Sequence, residues 1–248
     1  ALRQVNFYGA ERMVRINQGQ KGIDDLKYIL PHNVHLILIP KCESGDYILK
    51  LENIAKEIIA GNNTDHDIYF MPIIESALSV EKAFEIATAG KNVVAMAIGL
   101  EDYTADLGVQ RTNEGNESLY ARLRIVNAAR AAGIQAIDSV FSDVTDMDAL
   151  RKTAAVSKSL GFEGMGCIHP RQIRPIQQSF APARDEIEKA MKIVSAFREA
   201  EEKGYGVVAI GSKMIDPPVV NRARRIIDLA EKLNLIEEGR EEKEEENE

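Results

Sequence analysis

The stretch VVAMAIGLEDYTADLG, from Val93 to Gly108, decides the fold. Six apolar residues run unbroken into Gly99, and two acids, Glu101 and Asp102, follow at once. A continuous apolar run of this kind suits a strand buried on both faces, as in a parallel sheet covered by helices. Read as one strand, VVAMAIGLED (93–102) ends in carboxylates that lie where the packed interior stops, and strand alternation would send Glu101 and Asp102 to different sides.

The same grammar recurs outward from this stretch. RMVRIN (12–17), VHLILIPK (34–41), IYFMPIIES (68–76), IQAIDSVF (134–141) and GMGCIHP (164–170) read as five further strands. Between them, ESGDYILKLENIAKEIIA (43–60), SALSVEKAFEIATAG (76–90), SLYARLRIVNAARAAG (118–133) and DMDALRKTAAVSKSLG (146–161) carry helical spacing, the last three closed by glycine. Alternating strands and helices predict an α/β fold, and strand ends spaced about 25 to 35 residues apart fit a TIM (β/α)8-type barrel. A doubly wound open sheet is the second choice, because no GxGxxG follows any strand.

The polar residues at the strand ends favour the barrel. Arg15, Asn17, Lys41, Glu75, Glu101, Asp102, Asp138 and His169 all fall there, and in a barrel those positions share one catalytic mouth. Two carboxylates from neighbouring strands, Glu75 and Asp102, suit a hard cation such as Mg2+, which takes one or two protein carboxylates and keeps its other positions for water and substrate oxygens. Each acid can instead serve the N-terminus of the helix that follows it. Arg15 offers a fork for a substrate carboxylate, or an ion pair with a rim acid. A metal ion and a guanidinium together suit a small keto or dicarboxylic acid. His169, before Pro170, reads as a structural group or a site residue. Lys41 is a Schiff-base candidate only if desolvated. Asp216, before Pro217, is either a helix cap or a positioned base.

Composition narrows the class. A chain of 248 residues, 45% hydrophobic, supplies a sizeable core. A net charge of -8 with no basic cluster excludes duplex nucleic acid as the expected partner. Cys42 and Cys167 lack metal or redox spacing and are expected as reduced core thiols. No apolar run reaches the roughly 20 residues of a membrane helix, so no membrane partner is expected and the location is expected to be cytoplasmic. Residues 1–203 are expected to form the barrel domain, 204–236 a C-terminal extension touching a neighbouring subunit, and 237–248 a disordered acidic tail.

Several motifs together match one family. ERMVRIN, LILIPKCES, PIIESALSVEKAFEIA, AIGLEDYTADLG, LYARLRIVNAARAAGIQAIDSVFSD, LGFEGMGCIHPRQI and GSKMIDPPVVNRARRI, in order from Glu11 to about Asp228, resemble the citrate lyase β subunit within the wider family that includes malyl-CoA lyases. The passage from Arg111 to Ala136 resembles the citrate lyase branch more than the malyl-CoA branch. The resemblance implies a carbon-carbon lyase that cleaves a citryl thioester to oxaloacetate and an acetyl thioester. It implies Mg2+ on Glu75 and Asp102, Arg15 on the keto-acid carboxylate, and Asp216 as acid or base, reaching the site of an adjacent subunit as in related trimers. His169, Pro170 and Gln172 would lie near the thioester carrier, either CoA or the CoA-like prosthetic group of an acyl carrier protein. The implied partners are other copies of the chain and the citrate lyase α and acyl carrier γ subunits. Family members begin with two strands and a helix before the part matched here, so the barrel is expected to lack its first two strands in this chain. The alternatives are a malyl-CoA or citramalyl-CoA lyase, a thioesterase of the same family, or a non-catalytic assembly subunit.

Overall fold

The computed structural model describes residues 2–61, 67–211 and 213–236. The expected acidic tail, 237–248, lies outside the described residues. The chain divides into two compact units, Ala1–Ile176 and Gln177–Glu248.

In the first unit, strands β1 (Met13–Arg15), β2 (Leu36–Ile39) and β3 (Tyr69–Ile74) alternate with helices α1 (Gly19–Ile29) and α2 (Gly45–Gly61). Two short helices, α3 (Ala77–Glu81) and α4 (Ala83–Ala87), lead to β4 (Ala95–Ile98) and α5 (Leu100–Leu107). Helix α6 (Leu119–Ala132), β5 (Gln135–Asp138), α7 (Met147–Leu160) and β6 (Gly164–Met165) complete the pattern, and α8 (Ile173–Phe180) crosses into the second unit. All six strands pair in parallel and in chain order, β1 to β6, the order of a barrel wall. The six expected strands are therefore all present.

Both faces of the sheet are apolar, as the unbroken runs require. Ile37, Ile39, Phe70, Ile74 and Met96 are essentially inaccessible. Alternation places Leu36, Leu38, Met71, Ala95, Ala97 and Ile137 on the opposite face, where they form a second apolar layer. Helices α4 and α6 pack against β3, β4 and β5.

Three local expectations need correction. The helix expected over 76–90 is two short pieces, and Gly90 does not cap it: α4 stops at Thr88. Gly133 and Gly161, by contrast, do close α6 and α7 in the left-handed conformation that glycine adopts without a steric penalty. The strand in the deciding stretch ends at Ile98, and Glu101 and Asp102 lie in the first turn of α5. They therefore diverge by a helical turn angle of about 100° and not by the two-sided alternation of a strand. Finally, Cys42 is buried but Cys167 is exposed, because β6 is only two residues long and the chain has left the sheet before it.

In the second unit, α9 (Arg184–Glu202) packs along α10 (Pro217–Lys232), and an antiparallel hairpin, β7 (Val208–Ile210) and β8 (Lys213–Ile215), joins them. Ala190, Val194 and Phe197 of α9 meet Val220, Ala223 and Ile227 of α10 over Ile215, at the i, i+3, i+4, i+7 spacing of apolar helix faces. Among the described residues no helix is long and apolar enough to cross a membrane.

Candidate active site

The ends of β2, β3 and β4 bring Lys41, Glu75 and Asp102 together. Glu75 directly follows β3, and its Oε1 accepts a hydrogen bond from the Lys41 backbone N–H at 2.7 Å. The Lys41 side chain turns to the other acid: its Nζ is 3.1 Å from Asp102 Oδ1. One residue thus engages both carboxylates, and its backbone is held at φ 47°, a conformation a non-glycine residue adopts only when its surroundings hold it there.

Glu75 also has a shaped seat. A Cβ at Gly99 would stand 2.6 Å from Glu75 Oε2 and 2.9 Å from Glu75 Cβ, so the carboxylate lies over bare backbone. The Gly99 N–H donates to Ile74 O at 2.9 Å, which holds the two strand ends at this spacing. Ser76, not Glu75, caps α3, sharing a reciprocal pair of bonds with Ser79. Glu75 is therefore free of the capping role that sequence left open for it.

Asp102 in the first turn of α5 complements the positive end of the helix dipole. One turn later Asp106 Oδ2 accepts from Ala77 N at 2.8 Å, which ties α5 to the start of α3. Glu101 points elsewhere, to Arg111 Nη1 at 2.8 Å. The deciding stretch thus divides its acids, with Asp102 toward Lys41 and Glu75, and Glu101 away.

The electrostatics follow from this crowding. Burial raises the Glu75 carboxyl above the ordinary carboxylate value and nearby Asp102 adds to the rise, while the Lys41 N–H and the charges of Lys41 and Arg15 oppose it. The hydrogen bond and charge of Asp102 raise the Lys41 ammonium, and Glu75 and Asp106 add to this. Arg15 is exposed at the end of β1, and its charge reaches Glu75. The Lys41–Asp102 pair is half exposed on both sides, so it contributes little stability and is readily opened.

A divalent cation fits these groups. Two carboxylates face one region, burial and then the nearby Asp102 have raised the Glu75 carboxyl, and Gly99 leaves room for its second oxygen. Among the described residues no cluster of three or more His, Cys, Asp and Glu has metal-holding geometry. Two carboxylates with water and substrate oxygens are a magnesium-type donor set, not a zinc one.

The remaining expected residues have other placements. His169 caps the turn Pro170–Gln172, with Nδ1 accepting from Arg171 N at 3.2 Å. Pro170 is exposed. Gln172 is fully buried, donating from Nε2 to Phe141 O at 2.9 Å and accepting at Oε1 from Ile168 N at 3.0 Å. Asp216 caps α10, accepting from Val219 N at 3.3 Å, and belongs to the second unit. Asp138, a rim residue in sequence, is buried in a pair with Arg122. Sequence reading passed over Gly99, whose signal is its position between the last apolar strand residue and the first helical turn.

Residues 1–170 match the model of the HpcH/HpaI aldolase/citrate lyase family. The chain is 38% identical over 233 residues to the citrate lyase subunit beta of Haemophilus influenzae, covering 93% of this chain and 80% of that one. It is 30% identical over 241 residues to the mitochondrial citramalyl-CoA lyase of Rattus norvegicus, covering 92% and 71%. Among solved structures, the CitE protein of Mycobacterium tuberculosis in complex with magnesium, acetoacetate and coenzyme A superposes with a TM-score of 0.70 at 26% identity, covering 88% of this chain and 76% of that one. The family match over most of the chain and the parallel strand order lead to one conclusion: this chain belongs to the HpcH/HpaI aldolase/citrate lyase family.

Proposed function

We propose that this chain is the β-type lyase of a citrate lyase complex, cleaving a citryl thioester to oxaloacetate and an acetyl thioester. The observation that carries the reading is the convergence of Glu75 and Asp102 on Lys41 at adjacent strand ends. The higher identity to a citrate lyase subunit beta than to a citramalyl-CoA lyase supports the citryl substrate. The magnesium-bearing structural neighbour supports the metal.

In this reading Glu75 and Asp102 hold Mg2+, and Arg15 binds a carboxylate of the keto-acid portion. The metal, when bound, supplies positive charge to the oxygen that becomes the keto group of oxaloacetate. A general base takes the proton of the tertiary hydroxyl, and the bond from its carbon to the methylene beside the thioester breaks. The electron pair of that bond stays on the methylene as an enolate, which takes one proton to become the acetyl group. Asp216, contributed by a neighbouring copy, is the donor; in the condensation direction the same carboxylate removes that proton. His169 and Pro170 border the path of the thioester carrier, CoA or an acyl carrier prosthetic group, and Gln172 holds their turn in place. Residues 1–203 supply this barrel-type portion, 204–236 reach the neighbouring copy, and the working assembly is a trimer or a multiple of it with α and γ subunits.

Purified protein with Mg2+ should release oxaloacetate from citryl-CoA or citryl carrier protein and leave malyl-CoA and citramalyl-CoA almost untouched. Turnover of malyl-CoA alone, release of free thiol without carbon-carbon cleavage, or inertness with every thioester in the presence of its partner subunits would overturn the assignment.

A further inference from the structure

We propose that the cavity on the opposite side of α5 from Lys41 is a second ligand site, which takes a compact multivalent anion through its carboxylate or phosphate group. The cavity has a volume of about 560 Å³ and lies between α5, the loop 108–118 and α7. Neither Glu75, Asp102 nor Lys41 lines it.

Its floor is a fixed guanidinium. Arg122 of α6 is 91% buried by its side-chain exposure of 9%, and its Nη2 donates to Asp138 Oδ2 and to Ser157 Oγ. Its plane lies over the Phe162 ring with 5.7 Å from Cζ to the centroid. Its Nε is buried without a partner. The remaining nitrogen, Nη1, has no hydrogen-bond partner among the described residues and lies on the Gly115 side of the cavity, where even a Cβ added to Gly115 would stand 3.9 Å from it. A guanidinium fixed on one edge and open on the other presents a preformed donor to an anion.

The other charges of the lining leave this donor available. Glu101 is taken by Arg111, whose Nη2 also donates to Val140 O at 2.9 Å. Asp138 is taken by Arg122, by Ser157 at 2.6 Å and by the Ser139 N–H at 2.8 Å. Lys152, exposed on α7 at the cavity wall, forms no ion pair among the described residues. Glu114 at the exposed mouth is the one carboxylate of the lining without a cationic partner among the described residues, and it opposes an anion. Arg122 below and Lys152 at the side are the cations on which an anion would settle.

The test is calorimetric titration of the full chain, without divalent metal and at constant ionic strength, with inorganic phosphate and separately with malonate. Saturable binding is expected for at least one of them, and which one distinguishes a phosphate-bearing from a carboxylate-bearing ligand. Lys152→Glu should weaken binding at least about tenfold, Glu114→Gln should tighten it, and Arg15→Ala should leave it unchanged. Both decisive substitutions are on the exposed surface, so folding is preserved without touching the buried Arg122 pair. No saturable binding of either anion, affinity unaltered by Lys152→Glu, or loss of binding in Arg15→Ala would overturn the proposal.

Discussion

Replacing Gly99 by alanine tests the candidate site through its narrowest dimension. Gly99 has φ -108°, which alanine adopts without strain, so the whole effect is steric. The new methyl would sit 2.6 Å from Glu75 Oε2, 2.9 Å from Glu75 Cβ and 3.4 Å from Ile73 Cγ2. The Oε2 contact alone is relieved by rotating the carboxylate, but the Cβ contact cannot be, so β3 and β4 must separate or Glu75 must leave its seat. Overpacking of this kind costs about 1 to 3 kcal/mol, and the lost chain entropy of the unfolded state returns about 0.4 to 1. A net loss near 1 to 2 kcal/mol lowers the melting temperature of a chain this size by about 2 to 8 °C. In the proposed reading Glu75 holds the metal, so displacing its carboxylate should also weaken Mg2+ binding about 10- to 100-fold. The assay is thermal unfolding with and without Mg2+ and oxaloacetate, with Gly61→Ala as control, because a methyl there meets nothing within 4 Å. A Gly99→Ala protein as stable as Gly61→Ala, with undiminished magnesium affinity, would refute the close-approach reasoning.

Three further substitutions or reactions have defined outcomes. Asp138→Asn leaves Arg122 buried without its counter-charge and should cost about 3 to 5 kcal/mol in urea unfolding, whereas Asp138→Leu with Arg122→Met should recover most of that loss; equal stability of both variants would contradict the buried pair. Burial raises the Glu75 carboxyl, so the folded state holds that proton more tightly than the unfolded chain. Its contribution to stability is complete below the unfolded value near 4.5 and is lost as pH rises through the folded value, so Glu75→Gln should stabilise the metal-free protein more at pH 7 than at pH 4, and a gain that shrank with rising pH would contradict this. Burial likewise pushes the Cys42 thiol up to about 12, so iodoacetamide at pH 8 should label the exposed Cys167 and spare Cys42 in native protein, as read by peptide mass; equal labelling of both would count against the packing around β2.

The sheet was legible in sequence because unbroken apolar runs such as VVAMAI leave no exposed face for a strand to present. All six strands and the glycine ends of α6 and α7 follow from such local signals. What escaped local reading depends on three-dimensional spacing. The strand in the deciding stretch stops at Ile98 because Gly99 begins a helix, and its acids separate by helical angle. Gln172 looks polar and available in sequence, yet its amide spans two backbone groups that no short-range pattern connects, Phe141 O and Ile168 N. Asp138 looks like a rim acid because it ends a strand, but the arginine that neutralises it lies a full helix away in sequence. Lys41 was legible only as a strand-end residue within LILIPKCES, and only the folded arrangement shows it touching both acids.

The most direct measurement is a crystal structure of the chain soaked with Mg2+ and oxaloacetate. The expected result is one ion bound by a Glu75 oxygen and an Asp102 oxygen, with the Lys41 ammonium moved off Asp102 and Arg15 on a carboxylate of the keto acid. An ion bound elsewhere, or oxaloacetate seated with the Lys41–Asp102 pair still closed at 3.1 Å, would contradict the account.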